Sequence, residues 1–198
     1  MLDDKSAIRN GMFANIDTRL AVVEEYFRML VSFLNNAPSA LIQSPLLPTI
    51  FQAGLAALAV QQMDAINAVL TFHRTLLNIG VPDAQTTPKM SPRASSDDIA
   101  RYMPTLSASE IAMASQRNAA MVHTLFQEFG LQFTNQLFDG LINHFPRDVV
   151  QDVAAIQKLL VQMLPAESSK WMISVVENFP AQTMTAAERQ IFLTDYTK

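Results

Sequence analysis

The stretch Ile16-Asp-Thr-Arg-Leu-Ala-Val-Val-Glu-Glu-Tyr-Phe-Arg-Met-Leu-Val-Ser-Phe-Leu-Asn-Asn36 decides how this chain is read, because it is apolar on two helical faces. Ile16, Leu20, Val23, Phe27, Leu30 and Leu34 recur at alternating spacings of four and three, the mark of one face of an α-helix. Val22, Tyr26, Met29 and Phe33 repeat that spacing on a second face. Only a thin stripe through Asp17, Glu24, Arg28, Ser32 and Asn35 remains polar. A helix on the outside of a compact bundle needs a single apolar stripe. Two stripes predict packing on both flanks, as in helices layered along a solenoid, and neighbours that extend past this chain.

Composition supports helix throughout. The 198 residues suffice for one domain or one block of stacked repeats. Glycine is scarce at 5, and Phe supplies 12 of the aromatic residues, while Leu, Ala, Met and Gln are abundant, which favours helix over sheet. Charged residues make up 16%, well below the usual quarter of a soluble domain, so much of the surface is neutral or apolar and suited to facing protein. A net charge of −4 with no basic run argues against direct nucleic-acid binding, which needs clustered Lys and Arg. The absence of cysteine excludes a disulfide framework and thiolate chemistry. The N-terminal residues show no signal-peptide pattern, and the longest apolar stretch, 46–60, is broken by Pro48, Gln52 and Gly54, so no membrane span is expected.

Prolines and caps cut the chain into helices. The first stops at Asn35-Asn36-Ala37-Pro38. A second is expected from Ser44-Pro45 to about Val60, with Ser44 as cap. A third runs from about Gln62 to Ile79 and is closed by Gly80 as a left-handed stop. Residues 81–107, with Pro82, Pro88, Pro92 and Pro104, read as a long polar loop with a short helical turn at 97–102. Ser107-Ala-Ser-Glu110 is a capping box opening a helix to about Phe129, where Gly130 bends or divides it. Further helices are expected to Phe145, over 147–164, between Pro165 and Pro180, and from the second capping box Thr185-Ala-Ala-Glu188 to about Tyr196. Paired as hairpins beginning near 17, 62, 131 and 167, and discounting the loop, the repeat lies close to the roughly 40–47 residues of HEAT or armadillo arrays. The expectation is an all-α fold: an α-solenoid of about four HEAT-like antiparallel helix pairs, with 1–198 forming a single region.

Several segments also resemble a known family. The run Val23-Glu-Glu-Tyr-Phe-Arg-Met-Leu30, then Ser44-Pro-Leu-Leu-Pro48 and the helix ending Leu70-Thr-Phe-His-Arg-Thr-Leu-Leu-Asn-Ile-Gly80, resemble the C-terminal part of transportin-SR-type karyopherins. These belong to the importin-beta superfamily and include the fungal mRNA transport regulators. The second half resembles it in the same order, through Gln136-Leu-Phe138, Phe145-Pro146, the helix over 149–164, Ser169-Lys-Trp171 and Phe179-Pro180. The resemblance covers nearly the whole chain outside 81–107. It implies a nuclear import receptor for Arg/Ser-rich RNA-binding proteins, shuttling between cytoplasm and nucleus through nucleoporins. It further implies that the small GTPase Ran engages N-terminal repeats absent from this chain. On that basis the chain would be a C-terminal block of a longer receptor. The competing expectation is a self-contained helical scaffold or adaptor.

No enzyme signature is present, and no cofactor or metal site is expected. There is no phosphate-cradling glycine loop and no nucleophile elbow. His73, His123 and His144 lie on separate helices with no ligand at the next turn, and are expected to be half-exposed. Adjacent Glu24 and Glu25 point about 100° apart and are expected to be solvated or ion-paired. Met29, Met63, Met163 and Met172 fall on apolar positions and are expected to fill core, as is Trp171. Two features suggest interaction. Gln132, Asn135, Gln136, Asp139 and Asn143 form a neutral polar stripe able to donate to and accept from a peptide or protein partner. Thr87-Pro-Lys and Ser91-Pro-Arg in the loop fit proline-directed phosphorylation at Thr87 and Ser91.

Overall fold

The computed structural model describes residues 21–81, 107–179 and 183–196, and every regular element among them is a helix. The helices are α1 (21–36), α2 (Pro38–Ile42), α3 (Leu47–Ala57), α4 (Met63–Gly80), α5 (Ala108–Asn143), α6 (Val150–Met163), α7 (Pro165–Glu177) and α8 (Ala186–Tyr196), with a 3₁₀ turn at Arg147–Val149 ahead of α6. Residues 16–20 of the opening stretch and the turn expected at 97–102 lie outside the described residues.

The helices sort into two layers. In one layer α3 and α5 run side by side in the same direction. Leu47 and Pro48 line the same surface as Met121 and Leu125. Further along, Phe51 meets Phe126 and Phe133 at ring distances of 5.0 and 5.9 Å, and Leu58 O accepts from His144 Nε2 at 2.8 Å. On its other flank α5 meets α7, again in the same direction, with Trp171 against Gly130 and Phe179 5.8 Å from Phe138. In the second layer α4 lies beside α6: Arg74 pairs with Asp152 at 2.7 Å, and Gly80 meets Met163. A continuous core of buried side chains fills the space between the layers.

The structure differs from the sequence-based expectations at four boundaries. Pro38 does not merely end α1; it occupies the first turn of the short α2, where a missing N–H costs nothing. The second long helix starts at Leu47, not Ser44, and its N-terminal proline is Pro48. Ser44 Oγ instead accepts from Leu46 N–H at 3.2 Å within a turn. Gly80 is no left-handed stop. No described glycine has positive φ, and Gly80 is the last residue of α4. Its missing side chain makes room, since a Cβ there would lie 2.9 Å from Val122 Cγ1 and nearer still to Met163 Sδ.

Gly130 neither bends nor divides a helix. It sits inside α5, which continues unbroken for 36 residues, about 54 Å at 1.5 Å per residue. The helix expected to begin near 131 is therefore the second half of α5, so no helix pair begins there as the sequence-based pairing 17, 62, 131, 167 required. The glycine is a notch for the indole of Trp171. An added Cβ would stand 2.7 Å from Cζ2 and closer to Cη2 and Cζ3. Both capping boxes form as expected. Glu110 Oε2 accepts from Ser107 N–H at 2.8 Å while Ser107 Oγ accepts from Glu110 N–H at 3.3 Å, and Thr185 and Glu188 repeat the pattern at 2.8 and 3.3 Å. Arg189 of α8 donates to Glu177 O at 3.1 Å and Phe179 O at 2.6 Å, occupying carbonyls at the open C-terminus of α7, and to Met184 O at 3.2 Å just ahead of its own helix.

Gly130→Ala should decide between two opposed effects. Helix propensity favours Ala by about 1 kcal/mol, whereas forcing a methyl into a rigid ring costs about 1–3 kcal/mol. The ring cannot retreat into the core, so overpacking wins and the urea midpoint falls. Trp171 is the sole tryptophan, so its fluorescence follows the transition directly. In a Trp171→Leu background the penalty should largely vanish.

Candidate functional site

The polar stripe read from the sequence is brought together in part. Asn135, Gln136, Asp139 and Asn143 line a groove of about 350 Å³ between the second half of α5 and the C-terminal end of α7. Gln132 is exposed one turn earlier on the same helix and lies outside the groove. The far wall is Val175, Asn178 and Phe179, while Phe138 and Ile142 supply apolar surface on α5. Asn178 and the apolar lining were missed by sequence reading. Val175, Asn178 and Phe179 come from the C-terminal end of α7, and only the meeting of α5 and α7 places them there.

The groove's chemistry is that of hydrogen bonding. Asn143 Nδ2 donates to Asp139 Oδ1 at 2.8 Å, and Asn178 Nδ2 donates to Ser174 O at 2.7 Å, so both amides are oriented by their own helices. Their carbonyl oxygens add acceptors to the lining, and the amides of Asn135 and Gln136 add both donors and acceptors. Asp139 is the single ionisable side chain in the lining. Such a surface can pair with peptide N–H and C=O groups while its apolar patches hold a side chain. Thr87 and Ser91 lie outside the described residues.

The histidines do not behave as one class. His123 is half-buried, as expected, and so is His144, whose Nε2–H is committed to Leu58 O. His73 overturns the expectation of half-exposure, being completely buried in an aromatic box. Its ring stacks on Phe133 at 4.6 Å and meets Phe51 and Phe72 edge-on at 4.9 and 5.2 Å. Nδ1–H donates to Val69 O at 2.8 Å, and Nε2 is left buried without a partner. Gly54 of α3 makes the box possible, because a Cβ there would sit 2.6 Å from His73 Cε1. Burial pushes the imidazole pKa down to about 4, against a smaller upward pull from the Val69 carbonyl. It is a core histidine held neutral. Glu24 and Glu25 both reach Arg28, at 2.6 and 3.7 Å, as expected of an ion-paired surface. Among the described residues, no group of three His, Cys, Asp or Glu is placed to hold a metal ion. Nor is any helix among them long and apolar enough to cross a membrane.

No family model matches the chain. An uncharacterized protein of Schizosaccharomyces pombe is 25% identical over 181 residues, covering 89% of this chain and 17% of that protein. The chain thus spans less than a fifth of the relative's length.

His73 makes stability depend on pH with a defined sign. Its pKa is 6.5 in an unfolded chain and about 4 in the fold. Below 6.5 the unfolded state takes up a proton that the fold refuses, so stability is full above that pH and declines as pH falls toward 4. The gap amounts to roughly 3 kcal/mol. Glu110 and Glu188 are held below the usual carboxylate pKa by their capping hydrogen bonds, so their contributions fade at lower pH, below the ordinary carboxylate range. Urea unfolding at pH 7, 6, 5 and 4 should show the decline beginning near 6.5, and His73→Leu should remove that early part.

Proposed function

We propose that this chain is the C-terminal HEAT block of an importin-beta-type nuclear import receptor of the transportin-SR kind, binding Arg/Ser-rich RNA-binding proteins and shuttling between cytoplasm and nucleus. The observation that carries the reading is the direction of the helices within each layer. Helices α3, α5 and α7 run parallel in one layer and α4 and α6 in the other, the arrangement of antiparallel pairs stacked along a solenoid. In this reading α3–α4, α5–α6 and α7–α8 are successive HEAT-like pairs.

The edge of the stack supports a longer array. On α1, Phe27, Leu30 and Leu34 are buried, and Phe27 packs on Phe72 of α4 at 5.4 Å. The second face remains open, with Val22 63%, Met29 48%, Phe33 48% and Tyr26 37% exposed. Met29 is thus a surface residue here and not the core filler expected, whereas Met163 and Met172 are buried. A self-contained scaffold would need a polar outer face at each end of the stack, and α1 presents an apolar one. The much greater length of the Schizosaccharomyces pombe relative accords with further repeats. The amide-lined groove on α5 and α7 is the surface on this block best suited to extended cargo.

The test is a pull-down on an immobilised Arg-Ser repeat peptide. The chain should be retained, and Asn135→Ala with Gln136→Ala should weaken retention several-fold. Ran should bind only a form extended to N-terminal repeats. Ran binding to the 198 residues alone, or equal retention on a Lys-Gly peptide of matched charge, overturns the reading. In an upstream-extended form, Met29→Glu with Phe33→Glu should lower the melting temperature by several degrees while leaving the isolated chain nearly unchanged. That contrast reports whether α1's open face is covered.

A further inference from the structure

The first half of α5 borders a second groove, lined by different residues from the amide-lined one and of different chemistry. It encloses about 490 Å³ between α5 and the turn joining α2 to α3. Its α5 wall is a single helical stripe in which Ala120, Met121, Thr124 and Leu125 lie between Arg117 and Glu128. Ile42, Leu47 and Leu125 are buried beneath it, so the floor is apolar. The opposite rim carries Pro45 and Pro48, which have no N–H to offer a peptide strand. Recognition here must therefore run through side chains.

The groove is held in shape from below. Asn118 is buried at the junction of α2 and α5. Its Nδ2 donates to Ser39 Oγ at 2.9 Å, and its Oδ1 accepts from Gln43 Nε2 at 3.2 Å. Both ends of α2 are thereby tied to α5, and the rim does not have to be ordered when a partner arrives. Arg117 and Glu128 stand about 16 Å apart along the helix axis at 1.5 Å per residue. No ion pair among the described residues engages either one. One end of an apolar slot therefore offers an unpaired cation and the other an unpaired anion.

We propose that this groove docks an amphipathic helix of roughly three turns, with an acidic residue in its first turn against Arg117 and a basic residue in its last turn against Glu128. The charge order follows from complementarity and from the helix dipole together. An acidic group stabilises a helix N-terminus and a basic group its C-terminus, so the occupant runs parallel to α5. Its apolar positions, spaced by three and four residues, fill the slot beside Met121 and Leu125 in the helix-in-groove mode. The partner is a helical segment of another protein, and the site is independent of the transport reading and of the amide-lined groove.

The probe is a fluorescein-labelled, hydrocarbon-stapled peptide of roughly 14 residues, about four turns, with Glu in the first turn, Lys in the last and Leu on one face between. Fluorescence anisotropy with the full chain should give a Kd on the order of tens of micromolar. A peptide with Glu and Lys exchanged should bind about 3–10-fold more weakly, as expected for exposed charge pairs. The double variant Arg117→Glu with Glu128→Lys should invert that preference. Ala120→Trp, which fills the slot from an exposed position, should abolish binding with circular dichroism unchanged, while Asn135→Ala leaves binding intact. Equal binding of the two peptides, a preference unmoved by the charge exchange, binding that survives Ala120→Trp, or equal binding of an unstapled proline-containing control would each overturn the proposal.

Discussion

The stacking of His73 on Phe133, with Phe51 closing the box, is the contact on which the remaining architecture depends. Around it, Phe27 of α1, Phe51 of α3, Phe72 of α4, and Phe126 and Phe133 of α5 touch in one chain of aromatic contacts. Four helices, distant in sequence, are thereby placed at one point. Ring pairs of this kind add about 0.5–1.5 kcal/mol beyond the area they bury. The imidazole contributes only while neutral, because an imidazolium there would have neither water nor a counter-charge. The same box explains Gly54, since any side chain on α3 at that point would displace the imidazole.

Glycine serves this fold by absence of volume. Gly54, Gly80, Gly130 and Gly140 each lie within a helix and each receive a bulky side chain, from His73, Met163, Trp171 and Phe145 respectively. A Gly in a helix interior is disfavoured by about 1 kcal/mol relative to Ala, and close interhelical packing offsets that cost. Thr134, one turn beyond Gly130, returns its hydroxyl to Gly130 O at 2.8 Å, so this buried hydroxyl is satisfied within its own helix. The result keeps α5 unbroken through a point where local sequence suggests a break.

This difference marks what the sequence could and could not reveal. The helical class, both capping boxes, the buried face of α1 and the burial of Trp171 followed from periodicity and local hydrogen-bond chemistry, which act over three to five residues. The continuity of α5, the true role of Gly80 and the burial of His73 depend on side chains tens of residues away. A glycine in a helical pattern reads alike whether it ends a helix or admits an indole. Of the amide stripe, Asn135, Gln136, Asp139 and Asn143 were legible because they share one helix face. Asn178 and Phe179 were not, since they join the groove only through the packing of α7 on α5. The solvent-exposed groove beside Arg117 left no local signal at all. Half of its lining comes from residues 42–48, which the local sequence reads in part as the first turn of a helix and which the fold uses as a turn against α5.

The unbroken length of α5 has a mechanical consequence. Both grooves are mounted on the same helix, one around Thr124 and the other around Asp139, roughly 22 Å apart along its axis. Their azimuths about that axis are also locked, because no hinge intervenes at Gly130. The helix therefore acts as a ruler. For a ligand carrying two recognition segments, the second binding event would occur at an effective concentration set by the ligand's own linker. A linker too short to follow the helix would gain nothing from its second segment, and one matched to the span would gain the most. Discrimination between partners would then reside in spacing as well as in side-chain chemistry.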